Sequence, residues 1–235
     1  AFIRAVLANP ASSSAWSAFS QFADAAGRQQ TFRDVLQSTV NRLRADGKAV
    51  PPDLEAVSAL KDKDGSSVVK SAAALAQAAT AKRTNESGAS TKIDYGWAAQ
   101  IILGNASTAG LQEKEKAYVQ YCAGLVFLGS AQQQKAAEIF AACWRLLPPK
   151  EHMDCVMTCA QILANLKQPE ASIAILREAA SQGSPNPQLQ LALARALAKA
   201  ERPAEARIEY DYLLNQFNLN PNDRQALEQE RNALK

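Results

Sequence analysis

Apolar residues recur along this chain at the spacing of one helix face. Near the start, Trp16, Phe19, Ser20 and Ala23 form a stripe that stops at Gly27, and Phe32, Leu36 and Val40 form the next. Ahead of them, Phe2, Ala5 and Pro10 read as the close of an earlier helix running into a turn. The middle is irregular. Pro51-Pro52 opens a short helix through Leu60, because proline is tolerated in a first turn, and 62–67 is a turn. Residues 68–82 are an alanine-rich helix and 84–92 a polar loop. A helix over 95–103 carries Trp97 and Ile101 on one face, and Gly110 breaks it off before Leu111.

From Leu111 onward the pattern becomes periodic. Gly124, Ala160 and Ala194 are small residues inside apolar helices, spaced 36 and 34 residues apart. Three residues after each comes a bulky group: Phe127, Leu163, Leu197. A second small residue follows at Ala136, Ser172 and Ala206, then a large one at Phe140, Leu176 and Tyr210, then Cys143, Ala179 and Leu213. Five registers keep the same two intervals. The physical sense is close packing: small residues let paired helices approach, and bulky ones fill the space between neighbouring pairs.

Composition agrees. Alanine, leucine, glutamine, glutamate, lysine and arginine have the best helix propensities, and aromatic residues are only 6%. No run approaches the roughly 18 apolar residues of a membrane span, so no direct membrane insertion is expected. The charge is +3, from 26 basic and 23 acidic residues. Arg42, Arg44 and Lys48, or Lys82 and Arg83, are short clusters at helix ends, where they complement the helix dipole. A nucleic-acid binder would carry a basic stripe. The chain starts at Ala1 in what reads as mid-hairpin, which suggests a piece of a longer protein whose true N-terminus is missing.

The residues Ala123-Gly124, Phe127, Ala136, Phe140, Cys143 and Pro148, with their equivalents one and two units on, resemble the tetratricopeptide repeat family, whose unit is a 34-residue helix–turn–helix. The resemblance implies an all-α fold, a right-handed superhelical solenoid of antiparallel helix pairs, with an irregular middle section. It divides the chain into degenerate hairpins over 1–83, the 84–92 loop as a hinge, an array over 93–219 with its best units at 117–219, and a capping helix at 220–235. In the front hairpin Phe32 stands where a small residue is expected, which would splay its two helices. At the end, Asn220 is a helix cap, and a terminal helix with one wet and one buried face is what such an array needs for solubility.

In that family partners lie along the groove lined by the first helix of each pair. The matching positions are Tyr118, Tyr121 and Leu125, then Met157, Gln161 and Asn165, then Leu191, Arg195 and Lys199. Ser14, Ser17, Gln21 and Asp24 are the equivalents at the front. Only Arg195 and Lys199 are cations, so the bidentate grip needed for an acidic chaperone tail is poorly provided. A mixed apolar and amide surface suits a helical or extended peptide. Tyr118 and Tyr121 read equally well as hairpin packing.

His152 is the only histidine. Cys155 and Cys159 share its helix face, and Cys143 could approach from the preceding helix, which makes a zinc site conceivable. Plain packing is the preferred reading, since Cys143 and Cys159 fall in register slots for small apolar residues, where cysteine behaves as a small hydrophobe. No metal or other cofactor is expected. Cysteines without a paired framework lean towards a reducing, cytoplasmic compartment. No phosphate loop, HExxH or GxSxG appears. The reading is a non-catalytic protein–protein interaction scaffold that binds a peptide segment of a partner during assembly of a larger complex. The alternative is a substrate-recruiting or regulatory repeat domain of a larger enzyme whose catalytic module lies elsewhere. A protein or peptide partner is expected, and self-association through the terminal hairpins stays open.

Overall fold

The computed structural model describes residues 1–85, 94–182 and 185–234, and every regular element among them is helical. The chain packs as two compact units, 1–147 and 148–235. The first holds α1 (Phe2–Ala8), α2 (Ser13–Ala25), α3 (Gln29–Ala45), α4 (Pro52–Ser58), α5 (Gly65–Asn85), α6 (Gly96–Thr108), α7 (Glu113–Gly129) and α8 (Gln133–Cys143), closed by a tight turn at Trp144–Leu146. The second holds α9 (Pro149–Asn165), α10 (Pro169–Ser181), α11 (Pro187–Lys199), α12 (Pro203–Gln216) and α13 (Pro221–Asn232). No helix among the described residues is long and apolar enough to cross a membrane.

Helix starts follow from local chemistry. All five helices of the second unit open on proline, whose missing N–H is no loss in a first turn. Ser12 caps α2 by accepting from the Ala15 N–H at 3.3 Å. Asn186 and Asn220 do the same for α11 and α13, satisfying donors that no helical carbonyl reaches. Gln112 and Glu115 form a reciprocal capping box at α7.

Four hairpin turns share one geometry. Gly27, Ala131, Lys167 and Glu201 adopt φ of +62°, +59°, +58° and +58° between α2 and α3, α7 and α8, α9 and α10, and α11 and α12. The next N–H in each turn donates back into the finished helix: Arg28 to Ala23 O, Gln132 to Phe127 O, Gln168 to Leu163 O, Arg202 to Leu197 O, at 2.7–3.0 Å. This is a left-handed C-terminal cap. It is made by glycine only in the first of the four.

The periodic positions are core positions. Every residue of the five registers is buried, among them Phe127, Ala136, Phe140, Ala194, Leu197 and Ala206 at 0% exposure. Gly124 lets α7 close on α8, since a Cβ there would lie 2.7 and 2.9 Å from Phe140 Cδ1 and Cζ. Ser172 of α10 donates to the Ala160 carbonyl of α9 at 2.9 Å, deep inside the pair. Phe32 breaks this rule in the front hairpin. Its ring packs 5.9 Å from Trp16 and 5.2 Å from Phe19 on α2 and 6.1 Å from Trp97 on α6.

Helices pack neighbour against neighbour. In the first unit α7 is enclosed by α5, α6 and α8; in the second, α9 to α13 pack in chain order and α9 also touches α11. The division between units falls after Leu147, within the best-matched repeat region, while α5, α6 and α7 on either side of the 84–92 segment belong to one unit. Of that segment, Thr84 and Asn85 complete α5 and the remainder lies outside the described residues.

Candidate functional site

The nine groove positions fall on three helices in two units. On α7, Tyr118, Tyr121 and Leu125 are half-buried beneath the packing of α5, α6 and α8. Tyr118 and Tyr121 lie 6.5 Å apart, and Tyr121 stands 5.9 Å from the buried Phe140. The Tyr121 ring thus contributes to the α7–α8 pair.

In the second unit, Met157, Gln161 and Asn165 are exposed along α9, and Gln161 donates to Asn165 at 3.0 Å. On α11, Leu191 is half-buried and Lys199 exposed. Arg195 is held by the terminal helix: its Nε and Nη2 donate to both oxygens of Glu230 at 2.9 and 2.7 Å. Tyr210 of α12 donates to Glu230 Oε2 at 2.8 Å. Glu230 therefore ties α11, α12 and α13 together. The Arg195 bond holds the Glu230 carboxyl below its ordinary value, and desolvation, then the bonded carboxylate, pushes Tyr210 up to about 12.

All four cysteines are buried thiols. Cys155 and Cys159 are fully enclosed on α9, and Cys143 Sγ lies 3.8 Å from the Phe140 carbonyl. Among the described residues no three His, Cys, Asp or Glu side chains gather closely enough to hold a metal.

The feature that sequence reasoning missed is a cavity of about 470 Å³ in the first unit, walled by α2, α3, α4 with its following turn, and α6. Its floor is apolar: Phe32, Leu36 and Trp97 are buried and Ile101 half-buried. Its rim carries Asp24, Asp34 and Asp62 against Arg33. Amides from Gln21, Gln37, Gln100 and Asn105 stand between. Three of the four front positions, Ser17, Gln21 and Asp24, line it, whereas Ser14 does not. The signal that could have found it was Phe32 itself, a bulky group in a slot that elsewhere holds a small one.

The Trp97 ring is fixed in the cavity wall by a buried carboxylate. Its Nε1 donates to Asp53 Oδ2 at 3.0 Å, and Ser13 Oγ donates to the same oxygen at 3.0 Å. Asp53 is 1% exposed, and its Oδ1 meets no hydrogen-bond partner among the described residues. Desolvation raises the Asp53 carboxyl above its ordinary value, against the lowering effect of those bonds. Nearby Tyr95, also desolvated and facing the Asp53 charge, is pushed up to about 12.

Compared with known proteins, the chain matches no family model, no curated protein and no solved structure.

Proposed function

We propose that the chain is a non-catalytic interaction scaffold that holds a helical or extended segment of a partner protein during assembly of a larger complex. In this reading the pairs α9/α10 and α11/α12 are successive turns of a right-handed superhelical stack of the tetratricopeptide kind. The observation that carries it is the arrangement of first helices in the second unit. α9 touches α11 while α10 packs on both, and these two first helices carry Met157, Gln161 and Lys199 exposed and Leu191 half-buried. The identical left-handed caps at Lys167 and Glu201 give both pairs the same hairpin geometry, as a repeated unit requires.

Met157 is 36% exposed and Gln161 exposed, so exchanging them disturbs the fold little: surface changes usually stay within about 0.5 kcal/mol. The test is capture of a partner on the immobilised chain and on the Met157→Glu, Gln161→Ala double variant. Loss of the partner with an unchanged melting temperature supports the reading. Full retention removes this face from the binding surface.

A further inference from the structure

Gly104 is the odd residue in the cavity wall. It stands inside helix α6, where glycine is the poorest helix former after proline. A Cβ added there meets no atom of the described residues within 4 Å. Gly124 is different, because Phe140 occupies the space its side chain would need. Nothing in the packing requires glycine at 104. What the missing side chain does is leave the cavity between α2, α3, α4 and α6 open.

The charge of the rim selects the ligand. Among the described lining residues Arg33 is the only cation, and its Nη1 is already bonded to Asp62 at 2.7 Å. Asp24 and Asp34 are exposed carboxylates with no ion-pair partner among the described residues; Asp34 accepts only from the Gln30 amide, at 2.8 Å. The site therefore presents uncompensated negative charge above an aromatic floor, in a volume of about 470 Å³ that falls within the usual range for ligand pockets. Gln21, Gln37 and Gln100 are exposed along the walls. Amide side chains both donate and accept, as a peptide backbone demands of its neighbours.

We propose that this cavity binds a basic peptide segment, with one large apolar side chain seated on Phe32, Trp97 and Ile101 and an adjacent lysine or arginine at Asp24 and Asp34. The apolar side chain supplies most of the affinity, because burying it removes its surface from water. The exposed carboxylates set charge preference and salt dependence more than strength. The site is separate from the α9 and α11 faces and does not depend on their role.

The experiment titrates the full chain with a panel of labelled short peptides graded from acidic to basic, each made with and without a central phenylalanine, by fluorescence anisotropy at low and physiological salt. Affinity should rise with basic charge and require the phenylalanine. Asp24→Asn with Asp34→Asn should weaken the basic peptide about 3- to 20-fold and flatten its salt dependence. Gly104→Leu, which fills the open space, should weaken it about tenfold or more while melting no lower than the parent chain. Met157→Glu should leave binding intact, so a failure here is distinct from a failure on α9. Three results overturn the proposal: no peptide binds, acidic peptides bind as well as basic ones, or Gly104→Leu changes nothing. Saturation by n-butylamine at the concentration of the best peptide would instead assign the cavity to a small cation and overturn the peptide.

Discussion

The Trp97 indole of α6 and the Asp53 carboxylate of α4 are joined at 3.0 Å inside the first unit, and Ser13 of α2 donates to the same oxygen. One buried acceptor thus fixes three helices that are far apart in the chain, and Asp53 is only 1% exposed. Breaking such a group costs more than making it gains, because the donors left behind stay buried and unpaired.

Asp53 should give the chain a distinctive acid-side profile. Its folded carboxyl titrates above the ordinary 3.8, so between those two values the folded state holds the proton more firmly than the unfolded one. Stability from this residue is therefore highest below 3.8 and declines as pH rises through the raised value. Asp53→Asn removes the titration. Melting temperatures of both proteins across the acid range should show the parent losing ground to the variant as pH increases, and a constant difference would refute the assignment. Asp53→Ala, which orphans the Trp97 and Ser13 donors, should cost about 2–4 kcal/mol at neutral pH.

Gly104 and Gly124, both in helix interiors, should respond with opposite signs. Gly124→Ala places a methyl against Phe140, which is fully buried and has nowhere to retreat, for a loss of about 1–3 kcal/mol. Gly104→Ala enters open space and should gain up to about 1 kcal/mol from helix propensity. Ala160→Leu, at 5% exposure beside the Ser172 bond, should behave like Gly124→Ala, by overpacking. Chemical denaturation reads all three. A loss at 104 equal to that at 124 would contradict the packing described.

The hairpin caps offer a stabilising route. Lys167 and Glu201 pay for a left-handed backbone, at φ +58° in both, that glycine adopts freely. Lys167→Gly and Glu201→Gly should each raise stability by about 0.5–1 kcal/mol, while Gly27→Ala, at φ +62°, should lose about 1 kcal/mol. Destabilisation by both glycines would mean that those turns do not need the left-handed conformation in solution.

Glu230 should govern the docking of the last helix. Glu230→Gln removes the ion pair with Arg195 and weakens the Tyr210 bond. Because Arg195 is largely exposed, the expected loss is about 1 kcal/mol. The Glu230 carboxyl sits below its ordinary 4.5 when folded, so its contribution is present above 4.5 and is lost as pH falls through the lowered value. Ultraviolet titration of the tyrosines adds a second readout. Tyr210 should ionise near 12 in the parent and lower in Glu230→Gln, where the opposing charge is gone. An unmoved tyrosine titration would show that Tyr210 does not feel Glu230.

Much of this architecture is local and could be read from the chain. Helix periodicity, the proline starts of α9 to α13, the cap at Asn220 and the buried registers through Gly124, Ala160 and Ala194 all depend on residues a few positions apart. Such neighbours share a helix face whatever the rest of the chain does. The caps at Ala131, Lys167 and Glu201 were harder to see, because without glycine the turn leaves no mark in composition; repeated packing forces the conformation there. Other features arose only when distant segments met. The 147/148 division, the Trp97–Asp53–Ser13 junction, the engagement of Arg195 by Glu230 and the open space beside Gly104 each join residues from different helices. Their burial and charge balance are properties of contact between elements. The sequence determined which stripes would be hidden, since hiding them is a one-dimensional pattern. Which polar groups became trapped, and where a gap was left, was decided by the fit of one helix against another.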